Sequence, residues 1–138
     1  MRDRVFVDTN ILLRHLLTDD PVLSPPATEF MNRVASGQYL AVLSATVLFE
    51  TIYVLEKQRR IDRSTIRRDL IAIITLPSVE LADTGMYAEV FRRYVERPSL
   101  SFADCFHIVL ARKLTDGRLA TFDEALGEAK GVDWVHPA

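Results

Sequence analysis

Apolar residues along this chain change period repeatedly, from the short run of a strand to the three-and-four spacing of a helix. Val5, Phe6 and Val7 read as a strand over residues 5–7. Ile11, Leu12, Leu13, Leu16 and Leu17 then recur on one helical face, which ends at Asp19-Asp20-Pro21. Ser24 before Pro25 has the form of an N-cap and a first helical residue, opening a helix through Phe30 and Val34 that Gly37 closes. A second strand is expected over residues 39–43. Ser44 follows as the cap of a long helix carrying Val47, Leu48, Glu50, Ile52 and Leu55, with Arg59 and Arg60 near its end, where positive charge suits the helix dipole. A helix over 64–75 stops before Pro77, and residues 79–81 form a short strand. Asp83 then caps a helix running towards Arg97-Pro98. Ser101-Phe102-Ala103-Asp104 has the form of a capping box opening a helix through Leu114, which Gly117 ends. A strand over 119–121, a short helix over 124–129 and a strand over 132–135 complete the pattern. Strands separated by helices imply a parallel sheet with helices on both faces.

The 138 residues are expected to form one domain, and no linker or repeat interrupts them. Hydrophobic residues at 49% and charged residues at 26% fit a folded globular domain rather than a disordered chain. No apolar run approaches the roughly 20 residues that span a bilayer, and the N-terminus lacks the apolar core of a signal peptide. Cys105 is the single cysteine, so an internal disulfide and a thiolate zinc site are excluded, and a cytoplasmic location is expected. The net charge of −2 argues against nucleic-acid binding through overall positive charge and leaves a local patch as the route.

Four acids change the picture. Asp8 follows the first strand directly, where open α/β sheets place ligands beyond the carboxyl ends of their strands. Asp123 repeats that arrangement after Leu119-Ala120-Thr121-Phe122. Glu50 lies about two turns into the helix after the second strand, and Asp104 in the first turn of its own helix, which sets all four on the same side of the expected sheet. Each has a simpler reading. Asp8 and Asp123 can cap the helices that follow them, Asp104 can be the partner of Ser101 in the capping box, and Glu50 can be a solvated helix position. Leu48, Phe49, Thr51, Ile52 and Tyr53 around Glu50 are nevertheless less polar than a solvent face usually is.

Four segments carry a family resemblance: Val7-Asp8-Thr9-Asn10 with the apolar residues after it, Leu48-Phe49-Glu50-Thr51, Phe102-Ala103-Asp104-Cys105-Phe106-His107 leading to Ala111, and Thr121-Phe122-Asp123. In this order and length the chain resembles PIN-domain ribonucleases, and among them the VapC-type toxins of type II toxin-antitoxin modules. The resemblance implies a PIN-like three-layer α/β/α fold with a central parallel sheet of four to five strands. It implies Asp8, Glu50, Asp104 and Asp123 as catalytic, metal-binding acids, with Thr9, Asn10 and Thr121 orienting carboxylates or waters. Crowded carboxylates repel unless a cation balances them, and hard oxygen ligands select Mg²⁺ or Mn²⁺. Such a site hydrolyses RNA phosphodiester bonds by metal-assisted in-line displacement. The resemblance further implies a homodimer and a small antitoxin partner whose C-terminal segment occupies the site.

Other residues point elsewhere. His107, one turn after Asp104, reads as a partly buried structural histidine, while His15 and His136 have no ligand-like spacing. Cys105 and Trp134 read as core. Arg59, Arg60, Arg63, Arg67 and Arg68 form the densest basic cluster, and Arg92, Arg93 and Arg97 a second; both suit a solvated face, with RNA backbone contact as the alternative. Ile66, Leu70, Ile71, Ile73, Ile74, Met86, Val90, Phe91 and Val95 exceed what one helix face needs, which suggests surface shared in a dimer. Ile11, Leu12, Leu16, Leu48 and Ile52 are the expected apolar floor of an antitoxin groove. A haloacid-dehalogenase-type phosphotransferase would need an Asp where Asn10 stands. A free-standing PIN nuclease and a non-catalytic RNA-binding PIN domain remain as alternatives.

Overall fold

Strand β1 (Asp3–Phe6) pairs in parallel with β2 (Tyr39–Leu43), Asp3 opposite Tyr39 and Phe6 opposite Val42. The other edge of β2 pairs in parallel with β3 (Val79–Leu81), so the order is β1-β2-β3. Parallel neighbours need long crossovers, and helices supply them. Helices α1 (Thr9–Leu17) and α2 (Ser24–Ala35) join β1 to β2. Helix α3 (Ala45–Tyr53), a π-helical turn (Val54–Gln58) and α4 (Arg63–Ile74) join β2 to β3. The computed structural model describes residues 3–137. Its chain divides into two compact units, one ending at Thr84 and the other beginning at Gly85.

In the N-terminal unit α1 packs on both α2 and α3. Leu12, Val34, Leu48, Ile52, Ile66, Leu70 and Ile74 are buried there, each contributing about 1.5–3 kcal/mol by leaving water. Ser44 accepts from the Val47 N–H at 3.1 Å and starts α3, so the helix phase that presents Glu50 is set by its own cap. Asp62 does the same for α4 through the Thr65 N–H, and the hydroxyl and N–H of Thr65 hold its carboxyl below the usual range.

A 3₁₀ turn (Thr84–Met86) leads into α5 (Tyr87–Glu96), followed by α6 (Phe102–Leu114), β4 (Arg118–Ala120), α7 (Glu124–Gly127) and β5 (Asp133–Val135). In the C-terminal unit α5 packs on α6, and β4 pairs in parallel with β5. Tyr87, Phe91, Tyr94 and Phe102 form an aromatic cluster, with Phe91 and Phe102 centroids 4.8 Å apart and Tyr94 edge-on to Phe102 at 5.3 Å. Offset and edge-to-face geometries of this kind are the favoured ones.

The α/β class and the parallel pairing agree with the sequence, while the details differ in four places. Among the described residues the strands are hydrogen-bonded as a three-stranded and a two-stranded parallel sheet, where one sheet of four to five was expected. Ser24 is the first residue inside α2 and not its cap: Asp20 accepts from the Val22 and Leu23 N–H groups, and Ser24 Oγ accepts from the Asp20 N–H. The two backbone donors hold the Asp20 carboxyl below its usual range. Asp83 sits in the left-handed region at φ 57°, so the helix it was expected to cap begins only after the 3₁₀ turn. The apolar surplus of α4 and α5 is largely core: Ile66, Leu70, Ile73, Ile74, Val90 and Phe91 are buried, and only Ile71, Met86 and Val95 are part-exposed.

Candidate functional site

In the N-terminal unit Asp8 lies just beyond the carboxyl end of β1, at the N-cap of α1 with φ −83° and ψ 158°. Its side chain makes no capping bond and is exposed, so the helix start does not consume its carboxylate. Thr9 beside it is buried, and its Oγ1 donates to Glu50 Oε2 at 3.4 Å. That contact ties the acid on α3 to the residue next to Asp8, bringing together two candidates 42 positions apart in the sequence. Asn10 follows on the exposed side of the first turn. The long bond is weak in itself, yet it joins the start of α1 to an acid whose own helix phase is set by Ser44.

In the C-terminal unit the expected capping box is present. Ser101 Oγ accepts from the Asp104 N–H, and Asp104 Oδ2 accepts from the Ser101 N–H, both at 3.0 Å. The structural role foreseen for Asp104 is therefore real, and its Oδ1 lies outside the box. Asp123 is the N-cap of α7, with Oδ1 accepting from the Leu126 N–H at 2.9 Å. Thr121 Oγ1 accepts from the Asp123 N–H at 2.9 Å, and the Thr121 carbonyl accepts from Trp134 Nε1 at 2.9 Å. Gly117, at φ 85°, helps reverse the chain between α6 and β4, which pack together.

Four carboxylates are the donor chemistry that Mg²⁺ or Mn²⁺ prefers. The residues present fit such an ion in kind: Asp8 has no capping bond, Glu50 accepts through Oε2, and the caps of Asp104 and Asp123 each engage one oxygen. Among the described residues no three His, Cys, Asp or Glu side chains are disposed as a ready metal-ligand group. Asp8 and Glu50 belong to the N-terminal unit, and Asp104 and Asp123 to the C-terminal one.

The remaining candidates divide clearly. His107 is exposed rather than partly buried, since its place on α6 turns it away from the core that Cys105 and Ile108 enter. His15 Nδ1 lies 3.0 Å from Thr28 Oγ1, and burial lowers its pKa against the opposing charge of Asp69. Cys105 is fully buried, as expected. Trp134 is part-buried and lies against Gly127, where its ring holds the segment bearing Asp123. Leu12, Leu48 and Ile52 are buried core where α1 meets α3, so they do not floor an antitoxin groove; Ile11 and Leu16 are part-exposed. In the first basic cluster Arg59 pairs with Asp19 at 2.5 Å, holding that carboxyl below its usual range, and Arg63 pairs with Glu56 at 3.0 Å.

Sequence reasoning missed Glu89 and Arg112. Glu89 Oε2 accepts from Arg93 Nε at 2.9 Å and from Arg112 Nη1 at 3.0 Å. Burial raises the Glu89 pKa, but the Arg93 hydrogen bond and the charges of Arg93, Arg112 and Arg92 outweigh it and leave the carboxyl below its usual range. The spacing of Glu89 and Arg93 on one helix was a readable signal. The partner on α6 was not.

No helix among the described residues is long and apolar enough to cross a membrane. Neither curated proteins nor solved structures returned a match to the chain. The PIN domain family model matches residues 5–132, a span that crosses both units and includes Asp8, Glu50, Asp104 and Asp123, so the chain belongs to the PIN domain family, generally one of metal-dependent nucleases.

Proposed function

We propose that this protein is a metal-dependent endoribonuclease acting as the toxin of a type II toxin-antitoxin module. The observation that carries the reading is the pair at the start of α1: an exposed Asp8 with no capping bond, beside a buried Thr9 whose hydroxyl reaches Glu50, in a chain of the PIN family. Asp8, Glu50, Asp104 and Asp123 would hold Mg²⁺ or Mn²⁺. When bound, the ion lowers the pKa of a coordinated water and stabilises charge on the scissile phosphate, leaving a 3′-hydroxyl and a 5′-phosphate. Thr9 restrains Glu50, Thr121 restrains the backbone of Asp123, and Asn10 orients a neighbouring carboxylate or water.

The test is cleavage of total RNA by the full chain with Mn²⁺, with EDTA, and with Asp8→Asn and Glu50→Gln. Activity requiring the metal and lost in both variants supports the assignment; full activity in EDTA or in Asp8→Asn refutes it. The capping roles of Asp104 and Asp123 favour a second reading, a non-catalytic RNA-binding PIN domain, which metal-independent binding without cleavage would establish.

Two partners complete the proposal. An acidic pocket is a natural receptor for an arginine, whose planar guanidinium pairs bidentately with carboxylates, so an antitoxin segment inhibits by occupying the site. Co-expression with the neighbouring gene product tests this through co-purification and rescue of growth. The homodimer is proposed on the family resemblance, since the apolar helix residues that also suggested it are mostly core. A strict monomer by light scattering at micromolar concentration refutes it.

A further inference from the structure

The last turns of α5 and α6 and the loop before β5 enclose a pocket of about 430 Å³ in the C-terminal unit. That volume is within the roughly 300–1,000 Å³ of small-ligand sites, but the lining is unlike theirs. Arg92, Arg93, Arg97, Arg112 and Lys130 face Glu96, and no aromatic or apolar side chain is present to grip a base. We propose that this pocket binds the phosphate backbone of single-stranded RNA, a choice of ligand that rests on the nuclease reading above.

The pocket is built rather than incidental. Arg93 is nine-tenths buried, donating to Glu89 and, through Nη1, to the Lys130 carbonyl at 2.7 Å. Glu89 also holds Arg112, so two guanidinium groups are fixed side by side before any ligand arrives. Gly131, at φ 89°, makes room for them: a Cβ there would lie 3.0 Å from Arg112 Cδ and 3.2 Å from Arg93 Nη2. A guanidinium carries five N–H donors; the Glu89 bond uses one of those on Arg112, and Glu89 and Lys130 use two on Arg93. The helix carbonyl ends oppose an anion, but five cations against Glu96 in the lining and Glu89 beside Arg93 leave the pocket positive. Contacts to phosphate position a strand without reading its sequence. Arg112 lies eight residues after Asp104 on α6, roughly 12 Å along the axis, within reach of a strand that also passes that acid.

The test is fluorescence anisotropy of a labelled single-stranded RNA oligonucleotide on the full-length Asp8→Asn protein without divalent metal, repeated over a range of KCl. Lys130→Ala and the double variant Arg92→Ala/Lys130→Ala should weaken binding severalfold while melting at the parent temperature. Each lost phosphate contact should also flatten the log-affinity against log-salt slope by about 0.7. Arg92→Lys should stay close to the parent, because a charge at this position suffices. Unchanged affinity and slope in the folded double variant overturn the proposal. So does a pocket that takes a poly-glutamate peptide and not RNA, since that makes it a protein interface. Cleavage of RNA by the Asp8→Asn protein when Mn²⁺ is added refutes the acid-metal assignment separately, and the metal-free binding comparison does not depend on it.

Discussion

Replacing Gly127 with alanine sets two effects of known size against each other. Gly127 is the last residue of α7 and has no positive φ, so intrinsic helix propensity favours Ala there by about 1 kcal/mol. Packing opposes it. A methyl at this position would lie 2.7 Å from Trp134 Cε3 and closer still to Cδ2 and Cε2, so the indole must move. Overpacking of this kind costs about 1–3 kcal/mol. If the ring shifts, its 2.9 Å hydrogen bond to the Thr121 carbonyl is also lost, a further ~1 kcal/mol. The net expectation is destabilisation of about 1–3 kcal/mol. With an unfolding entropy of roughly 2.1 cal/mol/K per residue, a 138-residue chain then loses about 3–10 °C in Tm. Urea unfolding monitored by far-UV circular dichroism measures this in every variant, and Trp134→Ala supplies the control. In that background the clash is gone, so Gly127→Ala should become neutral or stabilising. A Gly127→Ala protein as stable as the parent, with the same change in stability whether or not Trp134 is present, would refute the packing argument.

Other expectations can be checked with the same proteins. Ser101→Ala should cost about 1 kcal/mol by removing half of the capping box; differential scanning calorimetry reads it. Thr9→Val removes the hydroxyl that reaches Glu50, so RNA cleavage should fall with a smaller loss than in Glu50→Gln; equal activity to the parent would deny Thr9 any positioning role. Asp8→Asn should leave stability within about 0.5 kcal/mol, because the side chain is exposed and makes no cap bond. His15 gives a pH dependence. Its folded pKa lies below the ordinary 6.5, so below that pH the unfolded chain binds the proton and the folded one does not, and stability falls as pH drops from about 6.5 towards the lowered value. His15→Gln should flatten that part of the stability profile; an unchanged slope would remove His15 as its source.

Much of the local architecture is legible in the sequence because its causes are local. The cap of α3 at Ser44 and the capping box of Ser101 and Asp104 each join residues three apart, and strands β2 and β3 lie where short apolar runs meet turn residues. The positions of all four acids after strands or on named helices follow from the same order of elements. Local pattern says which face of a helix is apolar, but not what covers it. That is why the apolar residues of α4 and α5 suggested a dimer and proved to be mostly core, and why Leu12, Leu48 and Ile52 suggested a groove and lie inside. The bond from Thr9 to Glu50, the seat of Trp134 on Gly127, the hold of Glu89 on Arg112 and the pairing of β4 with β5 all join positions that no period or cap relates. Sequence by itself determined the order of strands and helices, the caps at Ser44 and Ser101, and on which elements the acids stand. Tertiary structure alone decided which of those residues meet, because contact between distant segments depends on how whole faces pack and not on any local preference.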